Sequence, residues 1–95
     1  MDSRFEDIKL LEGITSLENI DFRGTGIDSL KYLKNKKNLK HITIISGNLN
    51  YISDLKAFTD IENVIIPSNN IEDVSVFSNL KKLKELDITN NPIID

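Results

Sequence analysis

The sequence predicts an α/β solenoid of stacked coils, each 22 residues long. Three observations predict it. Apolar residues recur at 22-residue offsets with no insertion or deletion. One stretch of each repeat alternates apolar and polar residues, as a strand with one buried face does. A later stretch spaces its apolar residues by three, which suits short 3₁₀ or irregular helical turns.

The slots can be read in order. Leu17, Ile20, Phe22, Ile27, Leu30 and Leu33 define the first full repeat. One step on, the same slots hold Leu39, Ile42, Ile44, Leu49, Ile52 and Leu55. A further step gives Ile61, Val64, Ile66, Ile71, Val74 and Phe77, and the last gives Leu83, Leu86, Ile88 and Ile93. Phe5, Ile8, Leu11 and Ile14 fill the late slots of a preceding half repeat. The expected division is a single domain with an N-terminal half repeat or cap (1–16). Full repeats follow at 17–38, 39–60 and 61–82, then a partial repeat at 83–95. No coil buries its apolar face alone, so the core forms only between neighbours. Asp2 to Leu11 is expected to form a short capping helix, with Asp2 or Ser3 as N-cap and Glu6 in its first turn.

Two runs match a known signature. Leu83-Lys84-Glu85-Leu86-Asp87-Ile88-Thr89-Asn90-Asn91-Pro92-Ile93 resembles the leucine-rich-repeat pattern L-x-x-L-x-L-x-x-N-x-I, and so does Ile61 to Ile71. The repeat length is similar to that of bacterial internalins and of eukaryotic protein-phosphatase regulatory subunits. The resemblance covers nearly the whole chain. It implies a right-handed leucine-rich-repeat solenoid with a parallel β-sheet on the concave face and short 3₁₀ or α turns on the convex face. It also implies a bacterial recognition scaffold, or a fragment of one, that binds another protein. The alternative is a spacer or capping segment of a longer repeat protein.

In that family an Asn side chain bonds backbone groups in the turn after the strand. Asn69 and Asn91 match the slot; Thr25 and Gly47 depart from it. A looser ladder is expected there, with Asn48 as the candidate substitute for Gly47. Lys36 stands where Ile14, Phe58 and Leu80 are apolar. Its stem is expected to cover apolar surface while its ammonium reaches water.

The residues between the buried strand slots face the concave side. They are Asn19, Asp21 and Arg23; His41, Thr43 and Ile45; Asn63, Ile65 and Pro67; Glu85, Asp87 and Thr89. Ile45, Ile65 and Pro67 form an apolar group with a polar rim, which is how interaction sites look. The competing reading is that the two isoleucines are only good strand formers. The candidate partner-binding residues are therefore Asp21, Arg23, His41, Thr43, Ile45, Asn63, Ile65, Pro67, Glu85 and Asp87.

Other chemistry finds little support. The net charge is −3, there is no Cys, and His41 is the single His. Disulfides, cysteine sites and multi-histidine metal sites are excluded. Gly24-Thr25-Gly26 begins like a dinucleotide fingerprint but lacks the third glycine and the long helix. Lys31, Lys34, Lys36, Lys37 and Lys40, with Lys81, Lys82 and Lys84, read as a solvated convex face without aromatic stacking groups. Asp21 and Asp87 lie three strands apart, about 14 Å and too far for a glycosidase pair. Glu85 and Asp87 lie about 7 Å apart along one strand and read as a solvated pair. No enzyme, cofactor, metal, nucleic-acid partner or membrane partner is expected. The apolar core of a signal peptide is lacking near Met1. The chain reads as soluble as given, at the cell surface or secreted if part of an internalin-like protein, and otherwise cytoplasmic. The strand around Leu86 and Ile88 is expected to leave an open edge. A longer solenoid or end-to-end self-association would cover it.

Overall fold

A computed structural model of the chain describes residues 17–24, 27–33 and 36–94. The expected capping helix, the slots from Phe5 to Ile14, Thr25 and Lys34 lie outside them. The described residues form one parallel four-stranded sheet in the order β1-β2-β3-β4. Its strands are β1 (Asn19–Arg23), β2 (His41–Ile45), β3 (Asn63–Ile65) and β4 (Glu85–Asp87). Between them run three 3₁₀ segments: η1 (Lys31–Leu33), η2 (Ser53–Ala57) and η3 (Ser75–Asn79). Each strand residue pairs with the residue 22 later: Ile20 with Ile42, Ile42 with Val64, Val64 with Leu86. This is the solenoid of stacked 22-residue coils that the periodicity implies.

Strand alternation follows from burial. In β2, Ile42 and Ile44 are fully buried, while His41, Thr43 and Ile45 lie between them half-buried on the other face. Removing each such inward side chain from water contributes about 1.5–3 kcal/mol. The core continues through Ile27, Leu30, Leu33, Leu49, Ile52, Leu55 and Ile71. At the last coil the same slots open to water, and Leu86 is 40% exposed where Ile42 and Val64 are at 0%. No helix among the described residues is long and apolar enough to cross a membrane.

Four details depart from expectation. Lys36 is 0% exposed, so its ammonium does not reach water. The slot faces wholly inward, and every buried side-chain nitrogen or oxygen among the described residues has a hydrogen-bond partner. In the third repeat Val76 turns inward at 7% exposure, while Val74 and Phe77 only line the core partly buried. Asn48 does not replace the missing Gly47 side chain: it is exposed and accepts a hydrogen bond from Asn70 Nδ2 at 3.2 Å.

The ladder does not loosen at Gly47 either. β1 and β2 pair over five residues, whereas β2–β3 stops after Thr43–Ile65. The cause is Pro67. In this register Asn63 N donates to Lys40 O at 3.0 Å, so residue 67 would donate to Ile44 O. Proline has no N–H to give. Asn69 Nδ2 takes over that carbonyl at 2.9 Å. One coil later, Thr89 N turns to the Asp87 carboxylate, and Asn91 Nδ2 reaches Ile66 O at 3.0 Å. The asparagines thus replace missing ladder rungs.

Each strand leaves the sheet through a left-handed residue. Gly24, Ser46, Ser68 and Asn90 have φ of 63°, 58°, 58° and 57°. Glycine takes this conformation freely, while a Cβ is disfavoured there. Ser46→Gly is expected to raise stability by about 0.5 kcal/mol, the relief of strain exceeding the added chain entropy. Urea denaturation would read it as a higher midpoint at unchanged slope.

Candidate functional site

Ten outward strand positions, with Pro67 and Thr89 just past the ends of β3 and β4, form three columns across the sheet. The first column is Asn19, His41, Asn63 and Glu85. The second is Asp21, Thr43, Ile65 and Asp87. The third is Arg23, Ile45, Pro67 and Thr89, continued past the strand ends by Ser46 N to Pro67 O and Ser68 N to Thr89 O. All ten candidate residues therefore share one face.

The first column is a hydrogen-bonded rail. His41 Nδ1 meets Asn63 Oδ1 at 2.7 Å, and Asn63 Nδ2 donates to Glu85 Oε1 at 2.8 Å. At the edge of the face, Arg23 clamps Asp21 through two bonds of 2.9 and 3.1 Å. The guanidinium bond holds the Asp21 carboxyl below the ordinary aspartate range, and Asp21 in turn raises Arg23. Both are half exposed, so water screens the pair and it adds little to stability. Asp87 is held low by the N–H and then the hydroxyl of Thr89, and it remains ionised at neutral pH.

The centre of the face is apolar. Ile45, Ile65 and Pro67 are half-buried by the neighbouring strands, with Thr43 beside them. The spacing brings the three together because 45 and 67 differ by one repeat, and 65 is the last outward position of β3, two residues before 67. A shallow groove runs along β4, lined by Ile65, Glu85, Leu86, Asp87, Ile88 and Thr89. Among the described residues, no three of His, Cys, Asp and Glu gather as a metal site.

Sequence reasoning missed the rail, although its signal was present: His41, Asn63 and Glu85 are spaced by one repeat each. It also missed Tyr51, which is 63% exposed on the side opposite the core. There it borders a groove with Asn50, Asn70, Glu72, Asp73 and Pro92. The signal for Tyr51 is its place just before the inward Ile52.

No protein-family model matches the chain, and no curated protein sequence matches it. Solved structures do. Internalin C2 from Listeria monocytogenes superposes at a TM-score of 0.85 and 24% identity, over 90% of this chain. An internalin, inlF, from the same organism superposes at 0.77 and 27% identity, over 93% of this chain. The chain spans 38% and 25% of those two structures' lengths. Proteins with this repeat fold are typically protein-binding.

Proposed function

Starting from an internalin-type leucine-rich-repeat solenoid, we propose that this chain is a non-enzymatic interaction module. It holds a protein partner on its concave sheet, as part of a bacterial recognition scaffold. The observation that carries this reading is the apolar centre of Ile45, Ile65 and Pro67 on a face rimmed by Asp21, Arg23, His41, Asn63 and Asp87. An apolar core inside a polar rim is the usual layout of a protein interface. Four strands make a strip about 20 Å across, and a standard footprint is about 800 Å² per partner. The strip alone therefore supports modest affinity, and tight binding would need further surface.

The test is a paired pull-down with wild type, Ile65→Glu and Lys56→Glu. Lys56 is exposed on η2, away from the sheet. A true partner is expected to be held by wild type and Lys56→Glu and weakened at least about tenfold by Ile65→Glu, about 1.4 kcal/mol. Equal retention by all three proteins would refute the concave site and favour a spacer role.

A further inference from the structure

The acidic groups around the sheet are unequally neutralised. Arg23 holds Asp21 at 2.9 Å, Lys82 holds Asp60 at 2.7 Å, and Lys84 reaches Glu62 at 3.6 Å. Among the described residues, Glu85 and Asp87 on β4 meet no cation. Glu85 accepts only the Asn63 amide, and Asp87 only the N–H and hydroxyl of Thr89. Asp87 pairs in register with Ile65, so the anionic strand borders the apolar centre at one strand spacing, about 4.8 Å.

The rail adds a third acceptor. Asn63 donates its Nδ2 to Glu85, so its Oδ1 is the end that faces His41. A carbonyl oxygen only accepts, so His41 must carry a proton on Nδ1. In the neutral ring Nε2 is then a lone-pair acceptor. Arg23, at the far edge of the face, turns two of its five N–H groups to Asp21, so its charge is balanced there rather than at β4. The face is thus an apolar floor beside acceptors, two of which are charged.

We infer that the partner presents a basic, extended segment, with an apolar side chain over Ile45, Ile65 and Pro67 and a flanking lysine or arginine at Glu85 and Asp87. This rests on the concave reading above and names the chemistry of its partner. An extended segment suits the face because outward residues on an extended chain repeat at about 7 Å, the separation of Glu85 and Asp87 along β4.

The experiment uses the full 95-residue chain and two peptides: acetyl-Lys-Ser-Leu-Ser-Lys-amide and its counterpart with both lysines replaced by glutamate. Amide NMR titration at low salt is expected to move Ile45, Ile65, Glu85 and Asp87 with the lysine peptide and not with the glutamate peptide. The double variant Glu85→Gln/Asp87→Asn should bind the lysine peptide about fivefold more weakly, with the loss shrinking as salt rises. Ring-nitrogen shifts should show Nδ1 of His41 protonated in the neutral form. If both peptides move Ile45 and Ile65 alike, the apolar site stands and the basic partner is overturned. The basic partner is also overturned if the double variant binds unchanged, if the lysine peptide moves only other surfaces, or if His41 carries its proton on Nε2.

Discussion

Asn69→Ala should lower stability by about 3 kcal/mol, because it leaves several buried backbone groups without partners at 1–3 kcal/mol each. The carboxamide donates to Ile44 O at 2.9 Å, Ile66 O at 3.0 Å and Pro67 O at 3.0 Å, and accepts from Leu49 N at 3.1 Å. Alanine removes all four bonds from a residue that is 6% exposed. Ile44 O suffers most, since Pro67 offers it no N–H. Asn69→Asp separates donation from packing. It keeps the shape and the Leu49 bond but turns an oxygen toward the carbonyls, so it should cost at least as much at neutral pH. Urea denaturation of the three proteins would decide. A loss under about 1 kcal/mol for both variants would mean that water satisfies these carbonyls and that the turn is wet.

Phe58→Ala is expected to cost more, about 3–5 kcal/mol, as full truncations of buried aromatics do. Phe58 is 0% exposed, and its slot lies between those of Lys36 and Leu80 in the adjoining coils. Its backbone N–H to Leu55 O, at 3.0 Å, would survive. The deficit is therefore side-chain packing on both neighbours. Against a total stability of about 5–15 kcal/mol, this threatens folding at ordinary temperature. Leu86→Ala provides the contrast. At 40% exposure it should cost under about 1 kcal/mol. Similar losses at both sites would show that coil position does not govern packing here.

These two residues also show what sequence reading could reach. Phe58 was legible: it falls on a repeating slot, and repetition across coils outweighs any local propensity. The strands were legible for the same reason, because inward Ile42 and Ile44 recur as Val64 and Ile66. Asn69 was legible as a turn asparagine, but its reach to the preceding coil was not. That bond fills a carbonyl left open by Pro67, as Asn91 fills the one left open by Thr89, and a pattern of apolar slots does not register an N–H that is missing or turned elsewhere. Lys36 misled because its chemistry argues for water while its position argues for the core, and position won. Val76 was invisible because 3₁₀ turns place side chains with less regularity than strands do. On the concave face, alternation put all ten residues together. The hydrogen bonds among His41, Asn63 and Glu85 needed side-chain direction as well as spacing.

The strict 22-residue register has a consequence for how such a surface can change. Inward positions answer to their neighbours in the core, and outward positions to one another, to solvent or to a partner. Descent can therefore rewrite Thr43, Ile45 or Ile65 one codon at a time while the coil beneath stays intact. A duplicated coil would likewise arrive with three blank outward sites already aligned to the existing columns. Recognition and architecture are stored on alternate letters of the same short stretch of chain, and each can be edited without erasing the other.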